Sequence, residues 1–254
     1  MGKTSKKIDA LRAKAEAEKR RLIARSERAV ARAYEQAIKE LSEACAALHL
    51  PLDAPFDLAK FPMLEARIAE ISESLNKRVL LLMQQSVSLA TSLADDAADS
   101  TLAEAYGKEA LATLAVKRPY LFRRTDAAAA FGVREGKGLE LSRGVWRINE
   151  AFREQMRTAL ASGSVSGQSA TAISRTIRPL WKHPTALFRR VRDKESGKLL
   201  PSKAMQQYHP GRGVYRSAAK NARRLAATET NMAYRTADYE RLQRFDFVVG
   251  VRIV

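Results

Sequence analysis

Between Lys3 and Leu48 the chain contains neither proline nor glycine. Proline would remove a backbone donor and clash with the preceding turn, and glycine would raise the entropic cost of order, so a run lacking both can stay helical throughout. The stretch is rich in Ala, Glu, Lys, Arg and Leu, the strong helix formers, which predicts one helix of up to about 65–70 Å at 1.5 Å per residue. Its second half carries Val30, Tyr34, Ala37, Leu41, Ala44 and Leu48 at alternating four- and three-residue steps, a short heptad seam. In the first half, Glu18 and Arg25 interrupt one column and leave only Ile8, Ala15, Leu22 and Ala29. The N-terminal tip is therefore expected to be solvated or to meet a partner.

Pro51, Pro55 and Pro62 punctuate a connector, after which Leu64, Ile68, Ile71, Leu75, Val79, Leu82, Leu89 and Leu93 predict a second long helix. Two long helices joined by such a link form an antiparallel hairpin. Residues Asp95–Val116 read as Ala-rich helix with a break near Asp99-Ser100, closed by Arg118-Pro119. Tyr120–Ser142, with Gly132, Gly136 and Gly138, reads as a linker. Val145, Ile148, Phe152, Met156 and Leu160 recur at helix spacing, and a last helix is expected over about Val214–Arg244. Alternation on both sides of Gly197, in Phe188–Asp193 and Lys198–Leu200, predicts a short β-hairpin, and Phe247–Val254 predicts a final strand. The fold class expected is mostly α: a coiled-coil-like helical hairpin over residues 1–118, a linker over 119–142, and a smaller α+β domain over 143–254 with a hairpin and a C-terminal strand, incomplete at its C-terminus.

Lys and Arg number 45 against 28 Asp and Glu, a net charge of +17. A surplus of that size attracts polyanions and speaks to partners more than to fold. A lone cysteine, Cys45, excludes an intrachain disulfide and a cysteine zinc site. Lys3, Lys6 and Lys7 precede a charged amphipathic pattern and not an apolar signal core, and no apolar run is long enough to span a bilayer. The expectation is synthesis in the cytoplasm with no membrane partner.

The densest polar constellation lies in the last helix. Arg224, Thr228, Asn231 and Arg235 share a ridge, and Glu229, Thr230 and Tyr234 sit among them. Arg and hydroxyl donors suit phosphate or a protein partner. They also suit a buried network pinning the helix, and the mixture of Thr, Glu and Asn favours that second role because it supplies mutual donors and acceptors. Arg189, Arg190, Arg192, Arg212, Arg216 and Arg223 are the candidate contacts to DNA or another polyanion. Aromatics stand beside several basic clusters, including Tyr120, Phe122, Trp181 and Phe188, a pairing compatible with stacking on unpaired bases. Gly211-Arg212-Gly213 lacks the Gly-Lys-Ser/Thr ending of a phosphate loop. His49, His183 and His209 have no second ligand at metal spacing, and no nucleophile elbow or paired-acid pattern occurs. No metal, no cofactor and no enzymatic activity are expected.

Arg224-x-x-x-Thr228-Glu229-Thr230-Asn231-x-Ala233-Tyr234-Arg235, preceded by Tyr208-His209-Pro210-Gly211-Arg212-Gly213-Val214-Tyr215-Arg216, resembles the phage Mu F-like minor head proteins, also called head-morphogenesis proteins. The resemblance runs from about Ser142 to the end, a little under half the chain. It implies a structural role in head assembly near the portal, with the portal or major capsid protein as partner, contact with packaged double-stranded DNA, and a place in the virion after assembly in the bacterial cytoplasm. The N-terminal helices would offer a surface for homo-oligomers. Longer members of the family end in a His-Pro-x-Cys-x-Cys pattern that is not found here, so the chain is expected to be C-terminally truncated. A nucleic-acid-binding protein and the N-terminal part of a phage-associated effector or toxin are the alternatives.

Overall fold

The structure, a computed structural model, describes residues 3–47, 61–122, 124, 141–164, 190–192, 197, 199–201 and 218–245. Among them are five α-helices: α1 (Lys3–Ala46), α2 (Pro62–Tyr106), α3 (Lys108–Lys117), α4 (Leu141–Ser164) and α5 (Ala218–Gln243). A 3-10 turn, Pro119–Phe122, follows α3. α1 runs unbroken for 44 residues and α2 for 45, lengths that the proline- and glycine-free sequence permits. Pro62 stands first in α2, where its missing N–H costs no intrahelical bond.

The expected break at Asp99-Ser100 does not occur. Helix α2 continues to Tyr106 and ends at Gly107, whose φ of 88° and ψ of 145° suit a residue without a Cβ. The expected α+β unit is also overturned, because helices carry almost all the described residues. The extended pieces are Arg190–Arg192 and Leu199–Pro201 (β1 and β2), whose antiparallel ladder is too short to form a layer of a sheet. The C-terminal strand expected at Phe247–Val254 lies outside the described residues, as does most of the predicted linker.

The chain divides into two compact units, each assembled from separate stretches of sequence. The first takes residues 1–28, 81–140 and 225–254. Within it α1 and α2 are antiparallel, tied by a hydrogen bond from the Ser86 hydroxyl to Ser26 Oγ at 2.9 Å and by the Lys7–Glu104 ion pair at 3.1 Å. The tip of α1 meets α2 through that ion pair, and none of residues 4–14 is buried. One core patch joins Val87, Ala90 and Ala94 of α2 to Ala233, Tyr234 and Ala237 of α5. Alanines on both faces let two helix axes approach closely while Tyr234 fills the remaining volume. A second patch packs Leu102, Leu111, Leu121 and Phe245, with Phe122 edge-on to Phe245 at 5.5 Å between ring centroids.

The second unit takes residues 29–80 and 141–224. Here Val30, Tyr34, Ala37 and Leu41 of the α1 seam are buried, as are Leu64, Ile68, Ile71, Leu75 and Val79 of α2 and Val145, Ile148, Phe152 and Met156 of α4. Tyr34 meets Phe152 edge-on at 5.1 Å. Its hydroxyl donates to Asn149 Oδ1 at 2.9 Å, and Asn149 Nδ2 donates to Asn76 Oδ1 at 2.9 Å. Three helices are thus linked by a polar chain that is buried at Tyr34 and Asn149 and half-buried at Asn76. Burial raises the Tyr34 hydroxyl far above the usual tyrosine range, so it remains a donor.

Candidate functional site

The polar segment of α5 is sorted by its helical period. Arg224, Thr228 and Arg235 are exposed and Asn231 is half-buried, whereas Glu229, Thr230 and Tyr234 are buried. Steps of three and four residues place the first set on one stripe, and the second set falls on the stripe facing the core. The structure therefore does not gather the seven residues into one cluster. The Thr230 hydroxyl donates to the Ala226 carbonyl four residues back, at 2.8 Å, a bond within the helix that reaches no other element.

Within the first unit, Tyr234 and Arg235 meet a charged group on α1 that the sequence reading passed over. Glu16 lies 2.7 Å from the Lys19 ammonium, 3.7 Å from Arg20 and 3.9 Å from the Arg235 guanidinium. Burial pushes the Glu16 carboxyl up, but the Lys19 hydrogen bond and the charges of Lys19, Arg235 and Arg20 outweigh it and hold the group below the usual carboxylate range. Lys19 is buried, with its ammonium 5.2 Å from the centre of the Tyr234 ring, close enough for a cation–π attraction. Burial, helped by Asp238 and Glu16, pushes the Tyr234 hydroxyl up to about 12. Asp238 is also raised, with burial outweighing the opposing charges of Arg12, Arg235 and Lys19. The signal for this cluster was present in the sequence: Lys19 stands four residues after Ala15, at a core position of α1.

At the other end of the first unit, Arg241 donates to the Leu121 carbonyl from Nη1 at 2.9 Å and to Asp99 Oδ1 from Nε at 3.1 Å. Its guanidinium carbon lies 5.5 Å from the Phe122 ring centre and 5.9 Å from that of Phe245. This cation is committed to holding the 3-10 turn, α2 and the end of α5 together.

Among the candidate polyanion contacts, Arg223 is exposed on α5 and Arg192 is exposed on β1, which also contains Arg190. Arg189, Arg212 and Arg216 lie outside the described residues, as do His49, His183, His209 and the Gly211-Arg212-Gly213 segment. The second unit has an open hollow lined by Ala44, Met63, Leu64, Ala66, Arg67 and Glu70. Its two charged members pair with each other at 2.9 Å. Among the described residues, no group of three or more His, Cys, Asp or Glu side chains could hold a metal ion. No helix among them is long and apolar enough to cross a membrane.

Compared with protein-family models, curated proteins and solved structures, the chain finds no match.

Proposed function

We propose that this chain is a structural minor head protein of a phage or prophage, acting in head assembly near the portal and touching packaged DNA. The observation that carries the proposal is the exposed stripe of α5: Arg224, Thr228 and Arg235 recur on one side of the helix that holds the Thr-Glu-Thr-Asn segment. A stripe of donors on a helix whose other side is packed is suited to a partner surface or to phosphate oxygens. Helices of 44 and 45 residues supply length for docking on a large assembly, and the charge of +17 supplies attraction to a genome.

The test is co-expression with a portal protein and a major capsid protein from the genome that carries this gene. Co-purification with portal should survive about 0.5 M NaCl, where screening has shortened the Debye length to roughly 4 Å. It should also fall in the Arg224→Glu/Arg235→Glu double variant. Retention of DNA binding with no affinity for portal or capsid protein at any salt concentration would replace this role with that of a stand-alone nucleic-acid-binding protein.

A further inference from the structure

Helix α4, in the second unit, carries polar residues in an order that complements its own reverse. Trp146, Glu150, Arg153 and Arg157 follow at steps of four, three and four residues, which keeps them on one stripe within about 60° of arc. Trp146 is 57% exposed, and Glu150, Arg153 and Arg157 are half-buried. Two contacts tie this edge of α4 to α2: Asn149 Nδ2 donates to Asn76 Oδ1, and Arg157 pairs with Glu65. The two helices are therefore antiparallel here, and Arg153, midway between the contacts, comes level with Ala69 and Ser72 of α2, neither of which bears a charge. Arg153 Nε is buried without a hydrogen-bond partner. The guanidinium forms no ion pair among the described residues, not even with Glu150 one turn away. A half-buried cation left without a counter-ion is costly, so what would supply the missing carboxylate is a question the stripe itself answers.

We infer that α4 is a self-association surface, on which a second copy of this chain lays its own α4 antiparallel about a two-fold axis level with Ala151 and Phe152. That axis sets Glu150 of each copy opposite Arg153 of the other, and Trp146 opposite Arg157, because both pairs are centred between the same two residues. Arg157 keeps Glu65 and offers the flat face of its guanidinium to the indole. Arg147 and Glu154, both exposed, form a third pair centred one residue earlier, within reach of long side chains. They share one flank of the stripe, and a two-fold axis keeps that flank on the same side in both copies, so they meet across the contact. Parallel helices would instead set Arg153 on Arg153 and Glu150 on Glu150, which repel. Charge also selects a second copy over a polyanion. Arg147, Arg153 and Arg157 are balanced by Glu150, Glu154 and Glu65, so this face is neutral on a chain of net charge +17 and exerts no long-range pull on a phosphate backbone. From Trp146 to Arg157 the stripe runs about 17 Å, a contact small enough to be weak and reversible.

This surface does not depend on the head-assembly role, and it is distinct from a contact through the N-terminal helices. Its test is sedimentation velocity of the full chain over about 5 to 200 µM at roughly physiological salt. The unaltered chain should show reversible exchange between monomer and dimer, with a Kd on the order of 10–100 µM for a contact of this size. Arg153→Glu and Glu150→Arg each set like charges across the axis and should weaken the dimer at least about tenfold. Mixed in equal amounts, the two variants should pair with each other at close to the parental affinity, because each supplies the charges that the other lacks. A chain that had merely misfolded would not be rescued in this way, and circular dichroism of each variant should show unchanged helix content. Trp146→Ala should weaken self-association about fivefold through loss of the cation–π contact. A parent chain still monomeric at about 200 µM, single variants that dimerise as the parent does, or a mixture no better than either variant alone would each overturn the assignment.

Discussion

Arg241 has its guanidinium almost wholly out of water, while its partner Asp99 keeps 44% of its side chain exposed. Removing the cation therefore leaves an acid that water can reach, and the larger losses are the donor to the Leu121 carbonyl and the two ring contacts. Arg241→Met should cost about 2–3 kcal/mol in urea unfolding, below the value for a fully buried pair broken on one side. Asp238 acts in the opposite sense. Burial raises its pKa in the fold, so its stabilising contribution is complete below the unfolded value near 3.9 and is lost as pH rises through the folded value. Asp238→Asn should raise the melting temperature at pH 7 by roughly 2 °C, and the gain should vanish at about pH 3.5. A Tm advantage that persists at low pH would mean that the charge is not the cause. Both side chains were plain in the sequence as polar positions of the last helix, but nothing in the period reveals which of them faces another element.

The two long helices show where periodicity reads well and where it misleads. Large residues predict a column along Leu75, Val79, Leu82, Leu89 and Leu93 of α2, yet beyond Val79 the buried apolar positions are Met83, Val87, Ala90, Ala94, Ala98 and Leu102, with Leu93 half-buried against the Val87–Ala94 patch. Leu89 is 51% exposed. The buried face thus moved from leucines to alanines, because in the first unit α5 presents its own alanines there and leaves no room for a larger chain. Ala94→Leu should cost about 1–3 kcal/mol by overpacking, while Leu89→Gln should change stability by less than about 0.5 kcal/mol. The reverse ranking in denaturant melts would restore the leucine column as the core. At Gly107 a Cβ would meet nothing within 4 Å, so Gly107→Ala tests backbone conformation alone and should cost about 1–3 kcal/mol.

At the scale of the molecule, each compact unit draws on stretches far apart in sequence. The first closes its cores with Leu121, Ala233, Tyr234, Ala237 and Phe245, all beyond residue 118. A fragment of residues 1–118 would keep two strong helix-forming segments and lose these apolar partners together with Arg241. It should remain helical by circular dichroism and yet melt at least about 10 °C below the full chain with weaker cooperativity. A fragment that melts as sharply as the parent would show that the N-terminal hairpin is self-sufficient. The exposed stripe of α5 depends on the same assembly, since packing of Glu229, Thr230 and Tyr234 inward is what turns Arg224, Thr228 and Arg235 outward.

The sequence by itself determined that the chain starts with two long helices, because propensity and the absence of proline and glycine are local properties that no neighbour has to confirm. It determined the Val30–Leu41 seam for the same reason, since a heptad repeat of large residues states its own buried face. Only the tertiary structure decided that an alanine face would be core, that Lys19 would lie buried beside Glu16 and Tyr234, and that the Thr-Glu-Thr-Asn segment would divide between inside and outside. Those outcomes depend on which helix comes to lie against which, and small or polar side chains take their environment from a neighbour that the local pattern does not name.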